Sequence, residues 1–202
     1  MFQVFYPLNK TRESQPLRRF FLLLSGATAF LAFFAFTASC IEARVYSTRD
    51  EALKRAFPNA SSIEKRSLYL DAADVSRVEK ASGVKMDSRL FTYYEAKGKS
   101  GVLGYAVIAG HTVRTKQEIY MVVIAANGAI DFVEILAFYE PEEYMPPKRW
   151  LAIFSGRALT NALRPKQEIP LISGATITTY TLTAEVRKTL AIFELLVLGG
   201  KR

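Results

Sequence analysis

The tetrapeptide Ser-Gly-Ala-Thr occurs twice in this chain, and its residue types suit contact with a phosphate group. The first copy, residues 25–28, lies in an uncharged run, where hydroxyls bond helix carbonyls and no soluble ligand reaches them. The second copy, residues 173–176, precedes an amphipathic pattern. There Gly174 permits a tight turn, and the helix start behind it offers unpaired N–H groups and the positive end of a dipole. The second copy therefore predicts a phosphate-binding site.

Other chemistry-bearing residues are few. Cys40 is the single cysteine and His111 the single histidine, which excludes an intramolecular disulfide and a thiolate metal cluster and predicts no metal centre. Ser62 and Lys65 have the spacing of a serine acylase motif, but its companion elements are missing. The net charge of +8 is spread along the chain rather than clustered with aromatic residues, which argues against a nucleic-acid partner. Attraction to anionic lipid or to an acidic redox partner stays open.

An uncharged run at residues 20–41 predicts a membrane anchor. As a helix it would be about 33 Å long, which is enough to span the apolar core of a bilayer. We expect residues 1–19 to form a cytoplasmic head and the rest of the chain to lie on the extracytoplasmic, periplasmic side of the cell membrane. A cleaved signal peptide, a twin-arginine signal and a lipoprotein cleavage box at residues 37–40 are alternatives, and each would also export the domain.

The elements that must position the second tetrapeptide follow from local patterns. Residues 42–88 read as a helical preface, with one helix capped by Asp50 and stopped by Pro58, and another running from Asp71 to Gly83. Residues 89–202 begin with two strand pairs. The second pair is joined at Asn127-Gly128, which predicts a type I′ turn. An antiparallel sheet of about four strands follows.

Helices are predicted after the sheet. Prolines open one helix near residue 147, and Gly156 can close it. Beyond the second tetrapeptide, apolar residues recur at three- and four-residue steps and predict a helix that packs on the sheet: Leu182, Val186, Leu190, Phe193 and Val197. The predicted fold class is α+β, an N-terminal transmembrane helix followed by a two-layer domain.

The sequence "SGATITT" followed by an amphipathic helix resembles the flavinylation motif of the FMN-binding domain family. That family includes the C subunit of the sodium-pumping NADH:quinone reductase and the G subunit of the Rnf complex. The resemblance covers roughly residues 90–198, and the arrangement is that of a stand-alone, membrane-anchored member. Pro170 replaces an aspartate that is common three residues before the motif serine, and residues 139–144 replace a Glu-Thr-Pro-Gly-type loop.

The resemblance implies a flavoprotein of electron transport. Its FMN would be joined by a phosphoester bond to Thr176, through a separate flavin transferase that uses FAD, and its electrons would pass to and from unidentified redox partners. The expected cofactor-binding residues are the motif residues and three side chains near the ring: Thr176, Ser173, Gly174, Ala175, Ile177, Thr178, Tyr139, Glu140 and Tyr144. Met145 is a further candidate neighbour of the ring. No catalytic residue is expected, since the chain reads as an electron carrier.

Two interpretations without a flavin stay open. A pilin-like structural protein also has an apolar N-terminal helix followed by a sheet, but a helix-opening glutamate after a processing site is missing here. A membrane-anchored sensory module that keeps the fold is the other alternative.

Overall fold

The computed structural model describes residues 44–199. The predicted anchor at residues 20–41 and the predicted cytoplasmic head lie outside this range. The strands are β1 (Arg44–Val45), β2 (Ser62–Tyr69), β3 (Leu90–Gly98), β4 (Gly101–Thr112), β5 (Gln117–Ala125) and β6 (Ile130–Phe138). The α-helices are α1 (Arg49–Ala56), α2 (Ala72–Ser82), α3 (Lys148–Leu151) and α4 (Thr176–Ile192), and α4 continues into a π-helical segment, Phe193–Leu198.

The strands form one antiparallel sheet in the order β1-β6-β5-β4-β3-β2. The predicted fold class is therefore wrong in its strand number, because the sheet has six strands rather than about four. The two additional strands, β1 and β2, come from the segment predicted to be helical, and they form the two edges. Within residues 44–199, no helix combines the length and the apolar character needed to cross a bilayer.

Both faces of the sheet are covered, which corrects the prediction of two layers. In β5, Tyr120 and Val122 pack towards α3 and α4, while Met121 and Val123 pack towards α1. This explains why β5 is an almost continuous apolar run instead of an alternating one. The predicted apolar stripe is confirmed, since its five residues are all buried: Leu182, Val186 and Leu190 in α4, and Phe193 and Val197 in the π-helical segment.

The turn between β5 and β6 differs from the predicted type I′ turn. Only Gly128 has a positive φ, of 91°, so Asn127 does not adopt the left-handed conformation that a type I′ turn requires. Gly128 N–H donates to Ala125 O at 2.9 Å, and Ala129 N–H donates to Asn127 Oδ1 at 3.0 Å. The loop is therefore longer than the tightest hairpin, with the asparagine side chain supplying an acceptor.

The two helices predicted before the sheet are present, with one difference at a cap. As predicted, α2 is capped at its N-terminus by Asp71, whose carboxylate accepts the Asp74 N–H, and at its C-terminus by Gly83, which has a φ of 70°. The N-cap of α1 is Thr48 rather than Asp50, because Thr48 and Glu51 form a reciprocal capping box.

A buried arginine joins α4 to its surroundings. Arg187 is 2% exposed, and its guanidinium donates to Ser82 O at the end of α2, and to Thr160 O and Leu163 O in the loop before α4. Burial lowers the pKa of Arg187, and the nearby charge of Arg164 lowers it further. Within residues 44–199 its hydrogen bonds all go to carbonyl oxygens, and Nη2 has no hydrogen-bond partner.

Candidate functional site

Thr176 is the first residue of α4, and its side chain is exposed to solvent. The chain reaches it through a tight turn in which Ala175 N–H donates to Ile172 O at 3.1 Å. Gly174 occupies this turn with a φ of 83°, a conformation that glycine adopts without steric cost. A Cβ atom at Gly174 would meet nothing within 4 Å, so the backbone conformation, and not crowding, favours glycine here.

The N-terminus of α4 has no side-chain cap. The first bond of the helix runs from Thr179 N–H to Ala175 O at 3.0 Å, which leaves the N–H groups of Thr176, Ile177 and Thr178 without a partner among residues 44–199. These groups lie at the positive end of the macrodipole of a 17-residue helix. The prediction of an anion-binding helix start thus has the required geometry.

A pocket of about 240 Å³ opens beside this helix start, and its lining brings six predicted residues together with one unpredicted residue. The lining residues are Arg114, Tyr144, Gly174, Ala175, Thr176, Ile177 and Thr178. The Arg114 guanidinium lies 5.0 Å from the centroid of the Tyr144 ring, which is within reach of a cation–π contact. The pocket therefore joins unpaired N–H donors, a permanent cation and an aromatic ring.

Two predicted phosphate contacts have other surroundings. The Thr178 hydroxyl is buried and donates to Tyr144 O at 2.9 Å. This hydrogen bond holds the loop that carries the Tyr144 ring. Ser173 is exposed at the turn but does not line the pocket. The donors available to a phosphate are thus mainly backbone N–H groups.

Glu140 is buried and organises the loop between β4 and β5 instead of lining the pocket. Its Oε1 accepts the N–H groups of Arg114, Thr115 and Lys116 at 3.2, 2.6 and 2.8 Å. Burial raises the pKa of Glu140, but these hydrogen bonds outweigh burial and hold the pKa below its usual value. Tyr139 is half-buried and also lies outside the pocket lining. Glu140 therefore places Arg114 at the pocket.

Three side chains of the site were not predicted. Arg114 lies in a short hairpin loop, where a single arginine carries no motif signal. Thr179 is fully buried, and its hydroxyl donates to Ala175 O at 3.0 Å and accepts from Ile172 N–H at 3.3 Å. Trp150 Nε1 donates to Pro170 O at 2.7 Å. For Trp150, the only signal in the sequence was that a single tryptophan lies in a proline-rich segment. Thr179 and Trp150 fix the two ends of the motif loop.

Comparison with known proteins gives one informative similarity. The chain is 25% identical over 169 residues to the G subunit of the Na(+)-translocating ferredoxin:NAD(+) oxidoreductase complex of Acetobacterium woodii, covering 78% of this chain and 80% of the relative. No family model matches the chain. The relative is thus a subunit of a complex that transfers electrons between ferredoxin and NAD(+). The similarity extends well beyond the Ser-Gly-Ala-Thr motif, so it does not depend on a short match.

Proposed function

We propose that this chain is a flavoprotein that carries electrons through FMN joined to Thr176 by a phosphoester bond. The observation that carries the proposal is the exposed hydroxyl of Thr176 at the uncapped N-terminus of α4, in a pocket with Arg114. The similarity to a component of a ferredoxin:NAD⁺ oxidoreductase complex supports electron transport as the role.

The residues present fit the phosphate of such a group. A phosphodiester carries one negative charge, and the N–H groups of Thr176, Ile177 and Thr178 face outward with no competing cap. Arg114 supplies a full positive charge at the same pocket. Because Gly174 has open space around its Cα, a transferase can approach the Thr176 oxygen from the loop side.

Attachment requires a partner enzyme. We propose a flavin transferase that uses FAD: the Thr176 oxygen bonds to the phosphorus of the FMN half, the pyrophosphate bond breaks, AMP leaves, and the hydroxyl proton passes to a base of the transferase. Thr179 and Trp150 hold the motif loop so that Thr176 stays exposed during this encounter.

The flavin, when bound, supplies one- and two-electron redox chemistry. The chain supplies the tether, the charge at the phosphate and the Tyr144 ring. The pocket of about 240 Å³ is smaller than the roughly 300–1,000 Å³ of pockets that enclose a whole small molecule. The ring system would therefore extend beyond it, within reach of redox partner proteins.

We place the protein at the cell membrane, with residues 44–199 on the extracytoplasmic side. The uncharged run at residues 20–41 supports a membrane location, and the covalent link would retain the cofactor where free FMN is lost by diffusion. Candidate partners are redox proteins of the same membrane.

The test is mass spectrometry of protein isolated from cells that contain an active flavin transferase. Cleavage after Lys166 and Arg187 releases one peptide, residues 167–187, which should carry the added mass of one FMN less one water. Fragmentation should locate the addition on Thr176, and the denatured protein should fluoresce in a gel under ultraviolet light.

Matched threonine variants make the test specific. Thr176→Val should abolish the added mass, while Thr181→Val, on the same helix and in the same peptide, should retain it. An unmodified wild-type peptide under these conditions would refute the proposal and favour the sensory or structural alternative.

A further inference from the structure

A second cleft, of about 500 Å³, lies between α4, strands β3 to β5 and the segment before β3. Its volume falls in the range of small-molecule sites. It shares no lining residue with the pocket at Thr176. Phe91, Val107 and Ala109 give it an apolar floor, as a flat ring system requires.

One wall of the cleft is a fixed chain of polar side chains. The Tyr120 hydroxyl donates to Glu185 Oε2 at 2.8 Å, and Lys188 Nζ lies 2.8 Å from Glu185 Oε1 and 3.2 Å from Asp87 Oδ2. Burial raises the pKa of Tyr120, and the charge of Glu185 raises it further. Burial lowers the pKa of Lys188, but its bonds to Glu185 and Asp87 outweigh this and raise it. At neutral pH this wall therefore keeps a protonated phenol and a charged ammonium group.

Beside Tyr120, whose ring centroid lies 5.4 Å from that of His111, the cleft has hydrogen-bonding capacity that residues 44–199 do not use. His111 and Glu118 face each other across β4 and β5, with Nε2 and Oε2 3.2 Å apart. Glu118 is fully buried, and the His111 side chain is 12% exposed at the cleft. Among residues 44–199, neither nitrogen of His111 makes a hydrogen bond of good geometry. Buried polar groups in native proteins are almost always satisfied, so an imidazole whose close contact with Glu118 lacks hydrogen-bond geometry indicates a missing partner at the cleft.

We propose that this cleft binds a flat ring that carries carbonyl oxygens, with the ring on the apolar floor and one carbonyl accepting a hydrogen bond from His111. Both nitrogens are buried, so the imidazole must rotate about its Cβ–Cγ bond to bring Nδ1, the nitrogen that does not face Glu118, to the ligand. Lys188 also lines the cleft, where its charge would stabilise a second carbonyl oxygen.

Two molecules share this chemistry, a free quinone and the isoalloxazine ring of a flavin. A quinone would enter from outside and would not depend on Thr176. The isoalloxazine ring would come from the tether, and this source rests on the proposed function. Thr181 lines the cleft five residues beyond Thr176, about 7.5 Å along the helix axis.

The binding test uses the full-length chain in detergent, carrying Thr176→Val so that no flavin is attached. Menadione represents quinones and lumiflavin represents the isoalloxazine ring, and calorimetric titration gives the dissociation constant of each. We expect saturable one-to-one binding of at least one of the two probes. If neither binds, the proposal is refuted, whatever the state of Thr176 in the wild-type protein.

Cleft variants decide whether the binding is at this site. Ala184→Leu fills the cleft from α4, while Ala73→Leu adds the same atoms on the exposed face of α2. We expect Ala184→Leu to weaken binding at least tenfold and Ala73→Leu to leave it unchanged. The double variant His111→Gln/Glu118→Gln replaces the facing imidazole and carboxylate together, so that neither is left without the other, and should weaken binding about tenfold or more. Equal binding by all of these chains would overturn the proposal.

The wild-type protein, isolated with its flavin attached, separates the two sources. If the tethered ring occupies the cleft, menadione binding is lost in this protein and present in the Thr176→Val chain. If the ligand is a quinone, menadione binds both. Absence of FMN from Thr176 together with menadione binding in the cleft would refute the proposed function and leave this inference standing.

Discussion

Replacing Thr179 by valine tests how the motif loop is held. Valine keeps the branched shape at a fully buried position but removes the hydroxyl that joins Ile172 N–H to Ala175 O. The loop that presents Thr176 should then loosen while the core of α4 stays packed.

The expected loss of stability follows from the two hydrogen bonds that the variant lacks. A neutral hydrogen bond contributes about 0.5–1.5 kcal/mol, and leaving the part-buried Ile172 N–H unpaired adds about 1 kcal/mol or more. Valine recovers a fraction of this because it is more apolar. We expect a net loss of about 2 kcal/mol in the free energy of unfolding, which lowers Tm by about 4–8 °C for a domain of this size.

Urea denaturation and thermal unfolding measure this loss, with Thr181→Val as the control. Among residues 44–199, the Thr181 hydroxyl donates only to carbonyls of its own helix, Ile177 O at 3.1 Å and Thr178 O at 3.2 Å. Its replacement should cost less than about 0.5 kcal/mol. Hydrogen exchange at the Ile172 amide should accelerate in Thr179→Val alone. Equal stabilities and equal exchange rates in the two variants would show that the buried hydroxyl does not hold the loop.

Three further predictions address the neighbours of Thr176. Because the folded-state pKa of Glu140 is held below its usual value, its stabilising effect is present above the unfolded pKa, near 4.3, and is lost as the pH falls through the folded pKa. Glu140→Gln should therefore reduce the fall in Tm with decreasing pH below about pH 4.5. The same dependence of Tm on pH in the variant and the wild type would contradict this role of Glu140. Arg114→Met should leave Tm within about 2 °C of wild type but should lower the fraction of FMN-bearing peptide when transferase is limiting. Arg114→Lys should restore that fraction. Equal fractions in Arg114→Met and Arg114→Lys would show that Arg114 does not act at the phosphate site. Gly174→Ala should cost about 1 kcal/mol through its φ of 83° alone. Gly156→Ala, with a φ of 75° and equally open surroundings, should cost the same without affecting flavin attachment, so a matching loss of flavin there would contradict a local role for Gly174.

Much of the fold was predictable where one pattern dominated. The apolar stripe of α4 repeats at helical spacing, and α2 begins and ends at the capping residues Asp71 and Gly83. The strand β2 was missed because it lies at a sheet edge. Its residues Glu64, Lys65 and Arg66 are charged, as suits an exposed edge, and give no alternating apolar signal.

The site was predictable only in its local part. Gly174 and Thr176 are close in sequence, so the motif and the helix start could be inferred together. Arg114 and Glu140 reach the site through the sheet, 59 and 33 residues before the first motif residue, Ser173. Glu140 shows the difficulty well, since a glutamate after a strand looks like a ligand contact, whereas here its carboxylate accepts a row of backbone N–H groups.

The guanidinium of Arg187 has a consequence for the opposite end of α4. It joins three carbonyls from two separate segments, so a lengthwise shift of the helix by a single residue would break all of these bonds at once. The axial register of the helix is thereby locked eleven residues away from Thr176. A partner that pulls on the N-terminal turn of α4 can bend or unwind that turn, but the rest of the helix does not move along its axis.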